Sequence, residues 1–438
     1  MVQLKYPDDA KEKRAYWLMP GNLLAARRKL RRDNSNLWRY SFKGGDLGGA
    51  PDRAVSFSRM IDRKAGDGFR FLVLGDTGEG DRSQYSTLPL IRALAPDFMI
   101  INGDVAYPAG RRQDFEEGFF KPYRNLDIPI WAVPGNHEYY SRSHGEEFYQ
   151  LFCTGLFRSK WSEYGLRFEQ QPGTYWELSE GEVPLVVIGV DTGKSANLDG
   201  HGWLNSEDRR QHEWLRWRLG QAEAQHKAVI LLFHIPALLR GIHQKQTHLT
   251  QLHQLIGESS AVRLVLCGHE HNFQLYSPDT FRKYLLAHHK AADQDAARDW
   301  PHYWVSGGGG AFLGSTDFPP GAYPAEEVYP TRDQWRRYTK WAKRMVGKVN
   351  WIASSPLGRV VSMFNDAPLS DADAGKYLSF VLVEVHSGSI DVTPLFMDEL
   401  AELYPSNWPQ ETVVRVDASQ RLLDDAKVEA IKRHRVRL

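Results

Sequence analysis

The sequence predicts an α/β fold, in which helices cover the outer faces of a β-sheet. Two observations lead to this prediction. Short aliphatic or β-branched runs recur along the chain, and each is closed by Gly or Pro, which is the pattern of buried strands. Helical patterns lie between these runs, at residues 84–94 and 207–225. Strands that alternate with helices favour a sheet with helices packed on its faces.

Six of the apolar runs are followed by a polar loop. They span residues 69–74, 98–101, 128–133, 185–190, 228–232 and 262–266. A further pair of runs, 377–385 and 390–395, flanks Ser387-Gly388-Ser389 and predicts a β-hairpin. The helix at 207–225 has Asn205 or Ser206 as its expected N-cap.

The bulk composition excludes several classes of protein. The chain has 438 residues, of which 42% are hydrophobic and 25% charged, so it is not a disordered protein. Its net charge of +1 gives the whole molecule no strong preference for polyanions. Two cysteines provide no disulfide framework. No secretory signal and no apolar run long enough to span a bilayer can be recognised, so we expect a cytoplasmic protein without a transmembrane segment.

We divide the chain into an N-terminal extension (1–66), a catalytic domain (67–397) and a basic helical tail (398–438). Within the domain, residues 278–376 are rich in Pro, Gly and Trp and predict an irregular insert or cap region. Residues 332–348 predict an amphipathic helix with one basic face. We favour a helix packed on the core with its basic face in solvent, and the alternative is a cap that attracts anionic substrate.

Side chains able to bind metal ions follow five of the six strands. They are Asp76, Asp104, Tyr107, Asn136, His234, His269 and His271. Taken singly, each has an ordinary explanation, such as a turn, a helix cap or a buried histidine. Together they predict one site, because ligands gather in the loops beyond the strand ends of α/β sheets. Carboxylate, imidazole, amide and phenol donors suit hard or borderline ions.

The motifs GDTG, GDVAY, GNHE, LLFH and GHEH resemble those of the calcineurin-like metallophosphoesterases, and within them the purple acid phosphatases. The resemblance covers roughly residues 69–310 and the final hairpin. Gly78 stands where the wider superfamily has a histidine, and Tyr107 stands where it has an aspartate. The two changes occur together in the purple acid phosphatases. The resemblance implies a four-layer α-β-β-α sandwich with N- and C-terminal extensions.

The resemblance also implies the ligands of two metal ions. Asp76, Tyr107 and His271 would bind the first ion, Asn136, His234 and His269 would bind the second, and Asp104 would bind both. A carboxylate can bridge ions roughly 3.5–4 Å apart. A phenol with a pKa of about 10 needs a strong Lewis acid to ionise at neutral pH. We therefore expect Fe(III) beside a divalent ion, which is Zn, Mn or Fe.

The implied function is that of a phosphomonoesterase, in which a metal-bound hydroxide attacks phosphorus. His137 would contact the phosphate or protonate the leaving group. His243 would lie near the substrate by the same resemblance, although a surface histidine is the simpler interpretation. The expected substrate is a small phosphoester. A phosphodiesterase or nuclease with the same metal centre is the alternative, nucleic acid is not favoured, and a binding protein that retains the fold comes third.

Three further features need an interpretation. Asp191-Thr192-Gly193 repeats Asp76-Thr77-Gly78 after a similar strand, and we expect Asp76 to be the metal ligand and Asp191 to shape a turn. The run Gly307–Gly310 lacks the Lys-Ser/Thr of a phosphate-binding loop, so we expect it to let backbone pass close to the site. Cys267 beside the GHEH motif is expected to be a buried, unreactive thiol.

Overall fold

The structure is a computed structural model. It describes residues 10, 20, 53–62, 64–141, 143, 145–192, 206–238, 250–288, 298–311, 313–314, 316, 321–336, 377–398 and 436–438. These residues form two β-sheets with helices packed against them. The predicted α/β class is confirmed.

The six-stranded sheet has the order β14-β13-β12-β2-β3-β4. Its strands are β2 (Phe69–Leu74), β3 (Phe98–Asn102), β4 (Ile130–Val133), β12 (Ser379–Val385), β13 (Ile390–Phe396) and β14 (Val436–Arg437). Strands β2, β3 and β4 are parallel, so their carboxyl ends meet at one edge of the sheet. Strands β12 and β13 form the predicted hairpin, and β12 pairs antiparallel with β2.

The eight-stranded sheet has the order β1-β5-β6-β7-β8-β10-β9-β11. Its strands are β1 (Ala54–Val55), β5 (Trp176–Ser179), β6 (Leu185–Val190), β7 (Ala228–Phe233), β8 (Val262–Cys267), β9 (Phe273–Tyr276), β10 (His302–Ser306) and β11 (Glu327–Tyr329). Strands β6, β7, β8 and β10 are parallel to one another. Their carboxyl ends therefore also lie at a common edge.

The helices connect and cover these strands. They are α1 (Arg82–Leu94), α2 (Arg112–Phe115), α3 (Lys121–Tyr123), α4 (Glu146–Phe148), α5 (Arg158–Glu163), α6 (Ser206–Ala224), α7 (Thr250–Glu258) and α8 (Pro278–His288). A π-helix at Glu116–Phe120 joins α2 to α3, and another at Tyr149–Cys153 continues α4. The side chain of Asp81 caps α1 by accepting hydrogen bonds from the backbone N–H groups of Ser83 and Gln84.

Three apolar clusters form the core of the described part of the chain. One lies between the six-stranded sheet and helices α1 to α5, and it includes Leu72 and Phe119. A second contains side chains of both sheets, such as Trp131 and Trp176. The third joins the eight-stranded sheet to α6, α7 and α8, and it includes Leu215. Because successive side chains of a strand point to opposite faces, each sheet contributes to two of the clusters.

The described residues add regular structure to three of the predicted segments. Within the predicted extension (1–66), β1 pairs with β5 and Phe57 is buried in the cluster that both sheets share. Residues 278–376 were expected to be irregular, but they contain α8, β10 and β11. The basic tail was expected to be helical, but Val436–Arg437 is a strand paired with β13. These short strands were missed because they are ordered by pairing with distant strands rather than by their own pattern.

Only the first part of the predicted helix 332–348 falls within the described residues. Residues 332–336 are helical, Trp335 packs on the first apolar cluster, and Arg336 is exposed. This arrangement agrees with the favoured interpretation of a helix packed on the core.

Within the described residues, none of the helices combines the length and the apolar character that crossing a membrane requires.

Candidate metal centre

All seven predicted metal ligands are described, and they converge on one place. Asp76, Asp104, Tyr107 and Asn136 follow β2, β3 and β4 of the smaller sheet, whereas His234, His269 and His271 follow β7 and β8 of the larger one. The two sheets pack against each other through a shared apolar cluster, so their carboxyl edges lie side by side. The site is therefore formed at the junction of the two sheets.

The first donor group comprises Asp76, Asp104 and His271, whose candidate ligand atoms all lie within 4.8 Å of one another. The phenol of Tyr107 joins them. Its oxygen lies 3.0 Å from Asp76 Oδ1, 3.0 Å from Asp104 Oδ2 and 3.0 Å from His271 Nε2. These are the four residues that were predicted to surround the first ion.

The second donor group comprises Asp104, His234 and His269. Asn136 joins them through Oδ1, which is 3.1 Å from His234 Nε2 and 2.8 Å from His269 Nδ1. Asp104 is thus common to both groups, as a bridging carboxylate must be. Within the described residues, these two groups are the only clusters of His, Cys, Asp and Glu side chains arranged to hold a metal ion.

The donor set fits a pair of metal ions. Ligand atoms held at about 2.1 Å from one ion lie roughly 3 Å apart, which is close to the separations within each group. His234 Nδ1 donates to the backbone oxygen of Asn102 at 3.0 Å, so the lone pair of Nε2 faces the second group. Oxygen and nitrogen donors without thiolates suit hard or borderline ions.

The thiol of Cys267 is buried and its pKa is raised by burial, which agrees with an unreactive side chain.

The electrostatics of the donors also favour cations. Burial raises the pKa of Tyr107 well above its ordinary value, and the carboxylates of Asp104 and Asp76 raise it further. Burial by itself would lower the pKa of His234, but the same two carboxylates raise it to about 9. Burial would raise the pKa of Asp104, but the His234 and His137 rings hold it well below its usual value. The concentrated negative charge must be balanced by positive charge, as bound cations would do.

Three of the candidate ligands have a left-handed backbone, which residues other than glycine rarely adopt. The φ angles are 58° at Asp76, 51° at Asp104 and 73° at His269. Such conformations cost on the order of 1–3 kcal/mol each and persist where the surroundings enforce them. Here hydrogen bonds tie the loops together, since the backbone N–H of Asp76 donates to Gly103 O and that of His269 donates to Asp76 Oδ2.

The backbone at Gly78 packs closely against the loop that carries Tyr107. A Cβ atom at Gly78 would lie only 1.8 Å from the backbone oxygen of Val105, so no side chain fits there. The backbone N–H of Tyr107 donates to Gly78 O at 2.8 Å. The glycine thus allows the loop after β3 to approach closely and to bring the phenol into the first donor group.

The glycine run after β10 has the role that was predicted for it. A Cβ atom at Gly307 would lie 2.7 Å from Asp76 Oδ2 and 2.1 Å from the backbone oxygen of Glu270. The backbone N–H of Gly309 donates to Gly75 O at 2.9 Å. This segment therefore passes against the loop of Asp76 at a distance that only glycine permits.

Two buried acids near the site were not identified from the sequence. Glu138 accepts hydrogen bonds from the backbone N–H groups of Asp104, Ala106 and Gly135, at 3.0, 3.0 and 2.7 Å, and so joins the loops after β3 and β4. Glu79 is 1% exposed, and its charge contributes to the raised pKa values of Tyr107 and His271. The GNHE motif was a signal for Glu138, whereas nothing in the sequence distinguishes Glu79 from a loop residue.

His137 lies beside the donors without belonging to either group. Its Nδ1 donates to the backbone oxygen of Pro108 at 2.8 Å, and its Nε2 is 3.8 Å from Asp104 Oδ2. Its ring packs against Tyr107, with the centroids 4.2 Å apart. His137 is therefore held with one ring nitrogen directed to the site. The second predicted catalytic residue, His243, lies outside the described residues.

Asp191 occupies the end of β6, at the same edge of the larger sheet, but it is engaged elsewhere. Its Oδ2 accepts a hydrogen bond from Tyr139 Oη at 2.5 Å. Its backbone N–H and C=O are paired with the side chain of Gln211 in α6, at 2.8 and 3.0 Å. These contacts agree with the expectation that Asp191 shapes a turn at the strand end.

We expect Asp76→Asn to lower the metal content by about one ion per chain, because the substitution removes a buried anionic donor. Asp191→Asn is the matched control, since it alters a buried aspartate at an equivalent strand end, and we expect it to retain both ions. Elemental analysis of each purified variant measures the difference. Equal losses in the two variants would contradict the assignment.

Residues 69–273 match the family model described as calcineurin-like phosphoesterase. A curated relative, the probable glycerophosphodiester phosphodiesterase GpdQ of Arcobacter nitrofigilis, is 27% identical over 181 residues, which are 40% of this chain and 57% of the relative. The chain thus spans just over half the length of that protein.

Three solved structures are similar to the chain. A purple acid phosphatase, PPD1, from yellow lupin seeds has a TM-score of 0.46 and 13% identity, covering 76% of this chain and 52% of its own. GAP50, the anchor in the inner membrane complex of Plasmodium, has a TM-score of 0.46 and 11% identity, covering 83% and 95%. A dimetal phosphatase from Danio rerio has a TM-score of 0.40 and 11% identity, covering 74% and 95%.

Proposed function

We propose, on the premise that residues 69–273 match the calcineurin-like phosphoesterase model, that the chain hydrolyses phosphomonoesters at a dinuclear metal centre of the purple acid phosphatase type. One observation carries the proposal. Two groups of donor atoms share Asp104, and the phenol of Tyr107 completes the first group. A phosphoesterase that holds two ions on one carboxylate can place both against a single phosphoryl group.

The charges of the two groups support different ions at the two positions. The first group has the carboxylate of Asp76 and a phenol in addition to Asp104, and the buried Glu79 lies close enough to influence Tyr107. Apart from Asp104, the second group has only imidazole and amide donors. We therefore assign a trivalent ion, Fe(III), to the first group and a divalent ion, Zn, Mn or Fe, to the second.

When bound, such ions lower the pKa of water and stabilise the charge that develops on the phosphoryl oxygens. The protein supplies the remaining parts of the reaction. His137 Nε2 is directed to the site while Nδ1 is held by Pro108 O, so His137 can bind a phosphate oxygen or deliver a proton to the leaving group. We also propose that His243 lies near the substrate, as the resemblance implies.

A phosphodiesterase is the second candidate. The observation that favours it is the similarity to a protein named as a probable glycerophosphodiester phosphodiesterase, at 27% identity. The same donor groups would serve both reactions, because a diester and a monoester present the same phosphoryl oxygens to the ions. The two candidates differ in whether the site accepts a second ester arm.

Paired assays on p-nitrophenyl phosphate and bis(p-nitrophenyl) phosphate test the choice. We expect the iron- and zinc-loaded protein to have a kcat/KM at least about tenfold higher for the monoester, equivalent to about 1.4 kcal/mol in transition-state binding. A reversed ratio would establish the diesterase. No turnover of either ester by protein that holds two ions per chain would remove the enzymatic proposal.

Colour provides a second measurement that does not depend on the substrate. Fe(III) bound to the Tyr107 phenolate should give a pink to purple protein. Tyr107→Phe keeps the ring in its buried position and removes the oxygen, so the visible band should disappear in that variant. Tyr123→Phe, which removes another buried phenol of the same core, should leave the band unchanged.

A further inference from the structure

Tyr140 contacts the two residues of the GNHE motif that face the metal centre. Its hydroxyl oxygen accepts a hydrogen bond of 2.6 Å from Nδ2 of Asn136. Its ring packs edge-on against the ring of His137, with centroids 4.8 Å apart and an interplanar angle of 63°. A single turn of 3-10 helix, His137–Tyr139, creates this geometry by placing Tyr140 beside Asn136.

The hydrogen bond matters because an asparagine amide has two unlike ends. Its oxygen can bind a cation, whereas its NH₂ group carries two donor hydrogens and repels one. In the structure Oδ1 faces His234 and His269 of the second donor group, and Nδ2 faces Tyr140. A rotation of the amide by half a turn would direct the NH₂ group to the place where the second ion is expected.

The other neighbours of the amide are the two histidines of the second donor group. The Nε2 of His234 presents its lone pair towards Oδ1, because Nδ1 donates to Asn102 O, and the Nδ1 of His269 can act as donor or acceptor according to its tautomer. Neither ring therefore selects the oxygen end of the amide by itself. The hydroxyl of Tyr140 can accept a hydrogen bond from the NH₂ group without competing for the ion.

We propose that Tyr140 is a positioning residue for the second metal ion, which directs the oxygen of Asn136 to that ion through the hydrogen bond to its NH₂ group. This inference rests on the proposed dinuclear centre. Partners that orient metal ligands in this way typically change metal affinity by about 10–100-fold when they are removed. The effect should fall on the second ion, because the hydrogen bond of Tyr140 is made to Asn136, which belongs to the second donor group.

The adjacent Tyr139 provides a matched control. Its hydroxyl donates to Asp191 rather than to a metal ligand, and the distance is 2.5 Å. Tyr139→Phe and Tyr140→Phe each remove one hydroxyl from neighbouring residues of the same turn. In Tyr140→Phe the ring remains, so the packing of His137 is kept.

The experiment is a competition for zinc between the iron-loaded protein and a chromophoric chelator, with wild type, Tyr140→Phe and Tyr139→Phe compared. Iron content and thermal unfolding are measured on the same samples. We expect Tyr140→Phe to bind zinc about 10–100-fold more weakly, with unchanged iron and an unchanged Tm. Tyr139→Phe should lower Tm, because the Asp191 carboxylate loses a buried partner, and should keep the zinc affinity of wild type.

The outcomes separate this inference from the proposal on which it rests. If the wild type binds two ions and Tyr140→Phe matches its zinc affinity, the positioning role is wrong and the dinuclear centre stands. Equal weakening in both variants would also overturn the role, since it would indicate a general loosening of the turn. If the wild type binds no second ion, the dinuclear centre and the inference both fail.

Discussion

Asp104→Asn should abolish the binding of at least one ion and lower kcat by about a thousandfold or more. Asp104 is the one side chain that belongs to both donor groups, and it is only 1% exposed. Asparagine has nearly the same shape but removes the negative charge that offsets two cations. Lewis-acid stabilisation is worth several kcal/mol, and each 1.4 kcal/mol corresponds to a factor of ten in rate. Elemental analysis and steady-state kinetics on the same preparation measure both effects.

Asp114→Asn is a suitable control for this substitution. Asp114 is a buried aspartate of the same loop region, where it accepts hydrogen bonds from the backbone N–H of Arg111 at 3.0 Å and from the Arg111 side chain. Its Oδ2 also accepts a hydrogen bond from the backbone N–H of Ala109 at 3.3 Å, so it holds the loop after β3 together. We expect Asp114→Asn to lower Tm while both ions remain. Retention of two ions and wild-type turnover in Asp104→Asn would refute the shared-ligand arrangement.

The strands that carry the site could be predicted because their signals are local. Strands β2 and β6 have the predicted bounds, and β3, β4, β7 and β8 differ from the predicted runs by one or two residues at one end. Each is an apolar run in a sheet that is covered on both faces, so nearly every side chain is hydrophobic. The polar residue after each run then identifies the strand end.

The division into two sheets was expected only from the family resemblance, because no local pattern in the sequence indicates it. Strand β2 pairs with β12, with Val73 opposite Val381, and nothing near either residue in the sequence indicates the other. Strands β9, β10 and β11 are short, and the antiparallel pairing of β9 with both β10 and β11 holds them in place. Tertiary contacts decide such segments, because β propensity depends strongly on context.

The candidate ligands were easier to recognise in the sequence than the residues that position them. Asp76 and His271 follow strands and carry recognisable donor atoms. Glu138 and Tyr140 act on other side chains and on backbone N–H groups, and their roles depend on how the loops after β3 and β4 meet. A motif indicates which groups can bind an ion, whereas the orientation of those groups emerges only in three dimensions.

His137→Ala should keep both metal ions and lower kcat by about 10²–10⁴-fold, which is the usual contribution of a general acid or base. His137 belongs to neither donor group, and its Nε2 is 3.8 Å from the nearest oxygen of Asp104. Retention of the ions with loss of turnover would separate its role from that of the ligands. Metal analysis and kcat, measured together, provide the comparison.

The leaving group distinguishes the two roles proposed for His137. If His137 delivers a proton, its loss should harm the hydrolysis of an alkyl phosphate far more than that of p-nitrophenyl phosphate, because nitrophenolate departs without protonation. If His137 binds a phosphate oxygen instead, both esters should suffer by a similar factor, and His137→Gln should restore part of the rate through its NH₂ donor. Full activity of His137→Ala on both esters would remove His137 from the reaction. In that case its ring, between Tyr107 and Tyr140, would serve only to pack two phenols against the metal centre.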